Sequence, residues 1–288
     1  MSQSRRFALE FLKLCCLAPH PPIIIPEVGG SELKKIQGSV NALEKLGDII
    51  KHIAPETLVV MSPHTPIYRS TFSIMTGNKL SGSFYEFRAP QVEIQSTPDN
   101  ELARALMEIA SREGIPLVES GGETMRGAGW LDHGIMVPLY YLAPDSYQLA
   151  CLTISMLDYR MHYRLGTAIR EAVEASGRNT VFIASGDLSH RLKPGAPAGY
   201  NPRGEEFDHA IGDIMSSGRF EDLFDLDPVL VEEAGECGLR SIFTLAGVVD
   251  GYSVDSHVLS YEGPFGVGYM VAQVSPLVSD PARRLSPP

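Results

Sequence analysis

Four histidines stand where apolar runs end or glycine-rich loops close, and an imidazole so placed can ligate a metal or move a proton. Pro19-His20-Pro21-Pro22 follows the run Leu14 to Ala18, and Pro63-His64-Thr65-Pro66 follows Thr57 to Ser62. Val181 to Ser185 leads into Gly186-Asp187-Leu188-Ser189-His190. His133 closes a loop with four glycines between 121 and 129, just before the apolar segment Ile135 to Leu142. Prolines fix the backbone around His20 and His64 and forbid helix there. A carboxylate can join them, because Glu232, Glu233 and Glu236 precede a late apolar stretch from Cys237 to Val249. Two imidazoles and one carboxylate on one face of iron leave positions open for substrate and dioxygen, whereas a closed tetrahedral set suits zinc.

Taken singly, a loop histidine is usually solvated or hydrogen-bonded, and only the shared context raises these four above that reading. His52, His162, His209 and His257 fall in expected helices or strands and are read as structural. Cys237 reads better as a small core residue than as a reactive thiol or ligand. The chain carries no G-x-S-x-G elbow, no GxGxxG and no P-loop, so a nucleophile-elbow hydrolase and a nucleotide-phosphate cradle are not supported.

The elements that must position these residues alternate. Strands are expected at Leu14 to Ala18, Thr57 to Ser62, Phe72 to Thr76, Val92 to Gln95, Leu149 to Ile154 and Thr180 to Ser185. Helices are expected from Ser31 as N-cap to Ile53, over Asp99 to Glu113, from Asp158 to Ser176 before Gly177, after Asp227-Pro228, and over the late apolar stretch. His257 to Glu262 and Gly268 to Val274 read as a closing hairpin. Thr57 to Ser62 is apolar on both faces, as in a covered sheet. The expected fold class is therefore α/β, one domain over 12–275 with a central, mostly parallel or mixed sheet and helices on both faces. Residues 1–11 and 279–288 are short extensions, the latter expected to lack structure. The Pro- and Gly-rich segment Leu192 to Arg203 resembles a lid. In such open sheets ligands bind outside the strands' carboxyl ends, where histidines distant in sequence converge.

With 288 residues, 44% hydrophobic and 20% charged, the chain can bury one large core. Its net charge of -11 argues against nucleic acid as a partner. Four cysteines without a CxxC pair read as reduced thiols, which points to the cytoplasm. Ser4-Arg5-Arg6-Phe7 resembles a twin-arginine signal only superficially, and no apolar run is long enough to span a membrane.

Leu17-Ala18-Pro19-His20-Pro21-Pro22, Ser62-Pro63-His64-Thr65-Pro66, Leu131-Asp132-His133-Gly134 with Val137-Pro138-Leu139, and Ser185 to His190 occur in the order found in class III extradiol ring-cleavage dioxygenases. The chain resembles that family, the type of the protocatechuate 4,5-dioxygenase catalytic subunit, across residues 12 to 275, and looks closest to its AmmeMemoRadiSam-associated branch. The resemblance implies an Fe(II) enzyme that opens a catechol-type aromatic ring with dioxygen, with AmmeMemoRadiSam proteins as candidate partners and homo-oligomerisation left open. It implies His20, His64 and Glu236 as metal ligands, His190 as acid/base and His133 as an assisting residue near substrate and oxygen. Glu236-Cys237-Gly238-Leu239-Arg240-Ser241 also resembles the Cys-Gly motif of Memo proteins, where a Cys is the ligand. Glu236 or Cys237 could thus face the metal, and the alternative function is a Memo-like metal- or peptide-binding protein without oxygenase activity.

Overall fold

Alternating side chains explain the layers. In the first strand, β1 (Leu12–Ala18), Leu12, Cys15 and Leu17 pack into one core, while Leu14, Cys16 and Ala18 pack into another on the opposite face. The same division holds for β2 (Thr57–Ser62), whose six residues are all buried. A strand read as apolar on both faces is thus covered on both faces. The structure, a computed structural model, describes residues 9–64, 67–120 and 129–285.

Between β1 and β2 lie α1 (Pro26–Gly29) and α2 (Gln37–Ile53). There follow β3 (Phe72–Ile74), β4 (Leu80–Phe84), β5 (Ala89–Pro98), α3 (Asn100–Arg112), β6 (Leu117–Glu119), α4 (His133–Leu142), β7 (Gln148–Thr153) and α5 (Tyr159–Ser176). The chain continues through β8 (Thr180–Ser185), α6 (Arg203–Ser217), α7 (Pro228–Ala234), α8 (Leu239–Val248), β9 (Tyr252–Glu262) and β10 (Tyr269–Ser279). The ten-stranded sheet is mixed and runs β4-β5-β7-β2-β8-β1-β10-β9, with β3 joining β7 and β6. Its centre is parallel: β8 pairs with β2 on one side and β1 on the other. The carboxyl ends of these three strands therefore lie side by side. Helices α2 and α4 pack on one face and α3, α5, α6 and α8 on the other, as the single α/β domain requires.

Aspartate caps set several helix starts. Asp99 accepts from Leu102 N, Asp158 from Met161 N and Asp227 from Val229 N, and Gly177 closes α5 at φ 68°. The helix expected from Ser31 begins later, at Gln37. Gly30–Lys35 is a 3-10 stretch, and Ile36 at φ -127° separates it from α2, so the apolar spacing continues across a break in the helix. The apolar segment from Ile135 is helical. It lies in α4, because the Asp132 side chain caps Ile135 N and starts a helix that tolerates Pro138. Strand β4 was not expected, since Leu80-Ser81-Gly82-Ser83-Phe84 carries only two large apolar side chains. In the tail expected to lack structure, β10 reaches Ser279 and Asp280 caps a 3-10 turn over Pro281–Arg283.

Three histidines read as structural remain so. His209 and His257 are exposed, beside Glu205 and Asp255. His162 is fully buried, its Nδ1 2.8 Å from Asp158 O and its Nε2 accepting from Ser155 N at 3.4 Å. Burial, the largest cause, lowers its pKa to about 4. Between that value and the ordinary 6.5 the unfolded chain binds a proton that the folded chain does not. Stability is therefore full above about pH 6.5 and is lost as pH falls towards 4. The expected loss is about 3 kcal/mol, from roughly 2.5 pKa units at about 1.36 kcal/mol each. Urea unfolding at pH 7 and pH 4.5 should show His162→Asn losing less stability than the wild type over that interval. Equal losses would contradict the assignment.

Candidate metal centre

The three adjacent parallel strands deliver their polar residues to one place. β1 ends two residues before His20, β2 two before His64, and β8 places Ser185 at its tip with Asp187 and His190 beyond it. His133 enters from the first turn of α4. His20 Nε2 lies 3.0 Å from His64 Nε2, and the ring centroids of His64 and His133 are 4.1 Å apart. His20, His64 and His133 each offer a ligand atom within 4.8 Å of the others. A second such group shares His20 and adds Asp187 and Cys237.

Each side chain is held from behind. His20 N donates to Asp187 Oδ1 at 2.9 Å, and His20 Nδ1 lies 3.0 Å from Ser185 Oγ. His64 N donates to Ser62 Oγ at 3.3 Å, and Ser62 Oγ donates to Asp132 Oδ1 at 3.2 Å. His190 Nδ1 lies 2.9 Å from Gly235 O. The His190 loop is tied down by Ser189, whose N donates to Asp208 Oδ1 at 2.8 Å and whose Oγ donates to Ala234 O at 2.9 Å. Of the glycine-rich loop before His133, residues 121–128 lie outside the described residues. The lid-like segment from Leu192 is bonded down, with Leu192 N on Gly266 O and Asn201 N on Arg191 O.

The two residues that could supply the third ligand behave differently. Glu236 Oε2 accepts from Leu239 N at 2.6 Å, at the start of α8, and belongs to neither group of clustered ligand atoms. Cys237 Sγ lies 3.7 Å from His20 Nε2 and accepts from Asp187 N at 3.3 Å. A core reading of Cys237 does not describe this half-buried thiol; Cys15, Cys16 and Cys151 are the buried core thiols. The cause is a backbone contact. A Cβ on Gly186 would stand 2.3 Å from Gly238 Cα, so only paired glycines let the end of β8 meet the start of α8 and bring Cys237 to Asp187.

Burial governs the charges. It lowers His20 well below its ordinary value, and it lowers His64 to about 4 and His190 in the same direction. The His133 and His190 charges depress His20 and His64 further. Burial also raises Asp187 and Glu236 to about 7 and Asp132 to about 6, each opposed by backbone N–H donors. The His20, His64 and His190 rings are thus neutral near pH 7, which is the metal-binding form. The separations from His20 fit an ion. Two nitrogens at roughly 2.0–2.1 Å and a sulfur at about 2.3 Å from a tetrahedral centre are separated by about 3.3 Å (N–N) and about 3.6 Å (N–S). The corresponding separations here, both measured from His20, are 3.0 Å and 3.7 Å, while His64 and Cys237 fall in different groups of clustered ligand atoms.

Sequence reasoning gave no site role to two residues of this centre, Ser185 and Asp187. Both stand in the strand-end segment that it had singled out.

A mixed α/β sheet with imidazoles gathered at its central strand ends defines an open-sheet α/β protein with a candidate metal site. The chain belongs to the family described as the catalytic LigB subunit of aromatic ring-opening dioxygenase, whose pattern matches residues 14–272. It is 39% identical over 272 residues to Protein CA_C1420 of Clostridium acetobutylicum, covering 93% of this chain and 58% of that protein. The chain thus spans little more than half of that relative's length. It is 25% identical over 245 residues to the 2-aminophenol 1,6-dioxygenase beta subunit of a Pseudomonas species, covering 76% and 78% of the two chains. Its fold is shared with the crystal structure of the uncharacterized protein JW3007 from Escherichia coli K12, at a TM-score of 0.61 and 15% identity, covering 91% and 99% of the two chains. Among the described residues, no helix is long and apolar enough to cross a membrane.

Proposed function

We propose that the chain is a non-haem, metal-dependent extradiol dioxygenase. Fe(II) is the expected ion, and a catechol-type aromatic ring and dioxygen are the substrates. The observation that carries this reading is the convergence of His20, His64 and His133 at three strand and helix ends, with His190 close enough to depress the pKa values of His20 and His64. His20 and His64 would hold the ion, with Cys237 in the place that the family resemblance gives to Glu236. Bound there, the ion would supply adjacent positions for the diol and dioxygen and a path for electrons between them.

The protein's own groups do the rest. His190, whose Nδ1 faces a carbonyl, presents Nε2 as an acceptor for a phenolic proton. That proton transfer makes the ring electron-rich at neutral pH. His133 packs edge-on against Phe87, with centroids 5.4 Å apart, which fixes its ring beside the two ligand histidines.

A second reading is a Memo-like protein that holds a metal or peptide without turnover, and the thiol 3.7 Å from His20 Nε2 favours it. Protein purified without oxygen should carry about one ion per chain, and a screen of catechols should then give the yellow ring-opened product. Metal without turnover on any catechol would select the second reading, and absence of metal would sink both metal readings.

A further inference from the structure

The His20 ring is held by a relay that begins in α4. Pro138 has no N–H, so it cannot bond the carbonyl of Gly134 four residues earlier, as any other residue in that helical position would. That freed, buried carbonyl accepts from Ser185 Oγ at the tip of β8. A serine hydroxyl has one proton. With the proton committed to Gly134, Ser185 Oγ can face His20 Nδ1 only as an acceptor, over 3.0 Å. Nδ1 must then carry the ring proton and Nε2 the lone pair. The alternative tautomer would pull the hydroxyl proton to Nδ1 and leave Gly134 O buried and unpaired. Nε2 is also the ring atom that meets the other ligand candidates, 3.0 Å from His64 Nε2 and 3.7 Å from Cys237 Sγ.

We propose that Ser185 is a positioning residue of this centre: held by the carbonyl that Pro138 leaves free, it fixes His20 as the Nδ1–H tautomer and presents a bare Nε2 to the ion. The assignment rests on the reading of His20 as a metal ligand. Gly134 is equally constrained, because a Cβ there would stand 2.6 Å from both His64 Cδ2 and Ser62 Oγ. The first turn of α4 is thus the template against which both histidines are set. It reaches His20 through the Gly134 carbonyl and Ser185, and the His64 backbone through Asp132 and Ser62.

The test uses the full chain labelled with 15N-histidine and freed of metal. Long-range 1H–15N correlation spectra report which ring nitrogen of His20 carries the proton, identified by its loss in His20→Gln. Zn(II) affinity is read in parallel by competition with a chromophoric chelator. Wild type is expected to show the Nδ1–H pattern. Ser185→Ala is expected to lose that pattern and bind Zn(II) about 10- to 100-fold more weakly, and Ser185→Thr, which keeps the hydroxyl, to restore both. If Ser185→Ala fails to fold, the wild-type and Ser185→Thr patterns decide. A wild type that binds Zn(II) with its His20 proton on Nε2 overturns the Ser185 assignment alone, as does a Ser185→Ala variant unchanged in pattern and affinity. A wild type that binds no Zn(II) sinks the metal reading and, with it, the placing of Ser185 in a metal centre.

Discussion

Exchange of His190 for alanine is expected to leave metal content almost unchanged and to lower turnover by about 10²- to 10⁴-fold, the usual worth of a positioned acid/base group. The expectation follows from how the ring is held. His190 Nδ1, 2.9 Å from Gly235 O, can satisfy that carbonyl only as a donor, so Nε2 is left as the acceptor. Burial lowers the pKa of the ring below the ordinary histidine value, and the ring is therefore neutral and able to take a proton at pH 7. His190 does not belong to either group of closely spaced ligand atoms. The loop should survive the exchange, since His190 N on Ala234 O and the Ser189 bonds to Asp208 and Ala234 are independent of the ring. A base must be unprotonated to act, so wild-type kcat/KM should fall as pH drops through the His190 pKa, and the variant should lack that acid limb. Loss of metal and turnover together would make His190 a ligand and end its assignment as base.

The parts of this centre that the sequence made legible share one physical property: they sit at the ends of buried strands. The apolar run Val181 to Ser185 forms a covered strand, and the polar residues after it emerge at the strand ends, where β1, β2 and β8 lie in parallel. His20, His64 and His190 were found in this way. The apolar run after His133 was not legible as an element, because a short apolar segment reads alike as strand or buried helix, and only the Asp132 cap decides for α4. The choice between Glu236 and Cys237 was not legible. Neighbouring residues leave a turn in different directions, and the direction here is set by a contact of Gly186 with Gly238, 52 residues apart. Ser185 escaped notice because its role depends on a carbonyl freed by Pro138 in a helix that the run from Ile135 did not announce.

Cys237→Ala is expected to cost the protein its metal, and Glu236→Gln to leave metal binding nearly intact. The thiol is placed for ligation by contacts that it does not itself make: the Gly186–Gly238 approach, Cys237 N on Asp187 O at 3.3 Å and Gly238 N on the same carbonyl at 2.9 Å. Burial, and then the neighbouring Asp187, raise its pKa well above the ordinary thiol value, so without an ion the sulfur stays protonated. A divalent cation reverses that preference, and thiol deprotonation should accompany loading. The Glu236 carboxyl is already engaged by Leu239 N at 2.6 Å, and a Gln oxygen can accept the same bond. Removal of Cys237 should therefore weaken Zn(II) binding by more than the about 10- to 100-fold that loss of a supporting hydrogen bond costs, while Glu236→Gln should stay within that range. Substitution with Co(II) gives a second readout, since a thiolate-to-cobalt charge-transfer band should appear in wild type and Glu236→Gln and be absent from Cys237→Ala. The opposite pattern, metal lost only in Glu236→Gln and no charge-transfer band in wild type, would return the third position to Glu236. A two-histidine, one-carboxylate face suits iron and dioxygen, whereas a thiolate at that position shifts the preference towards softer ions, so this pair of variants also decides which ions should be offered when turnover is sought.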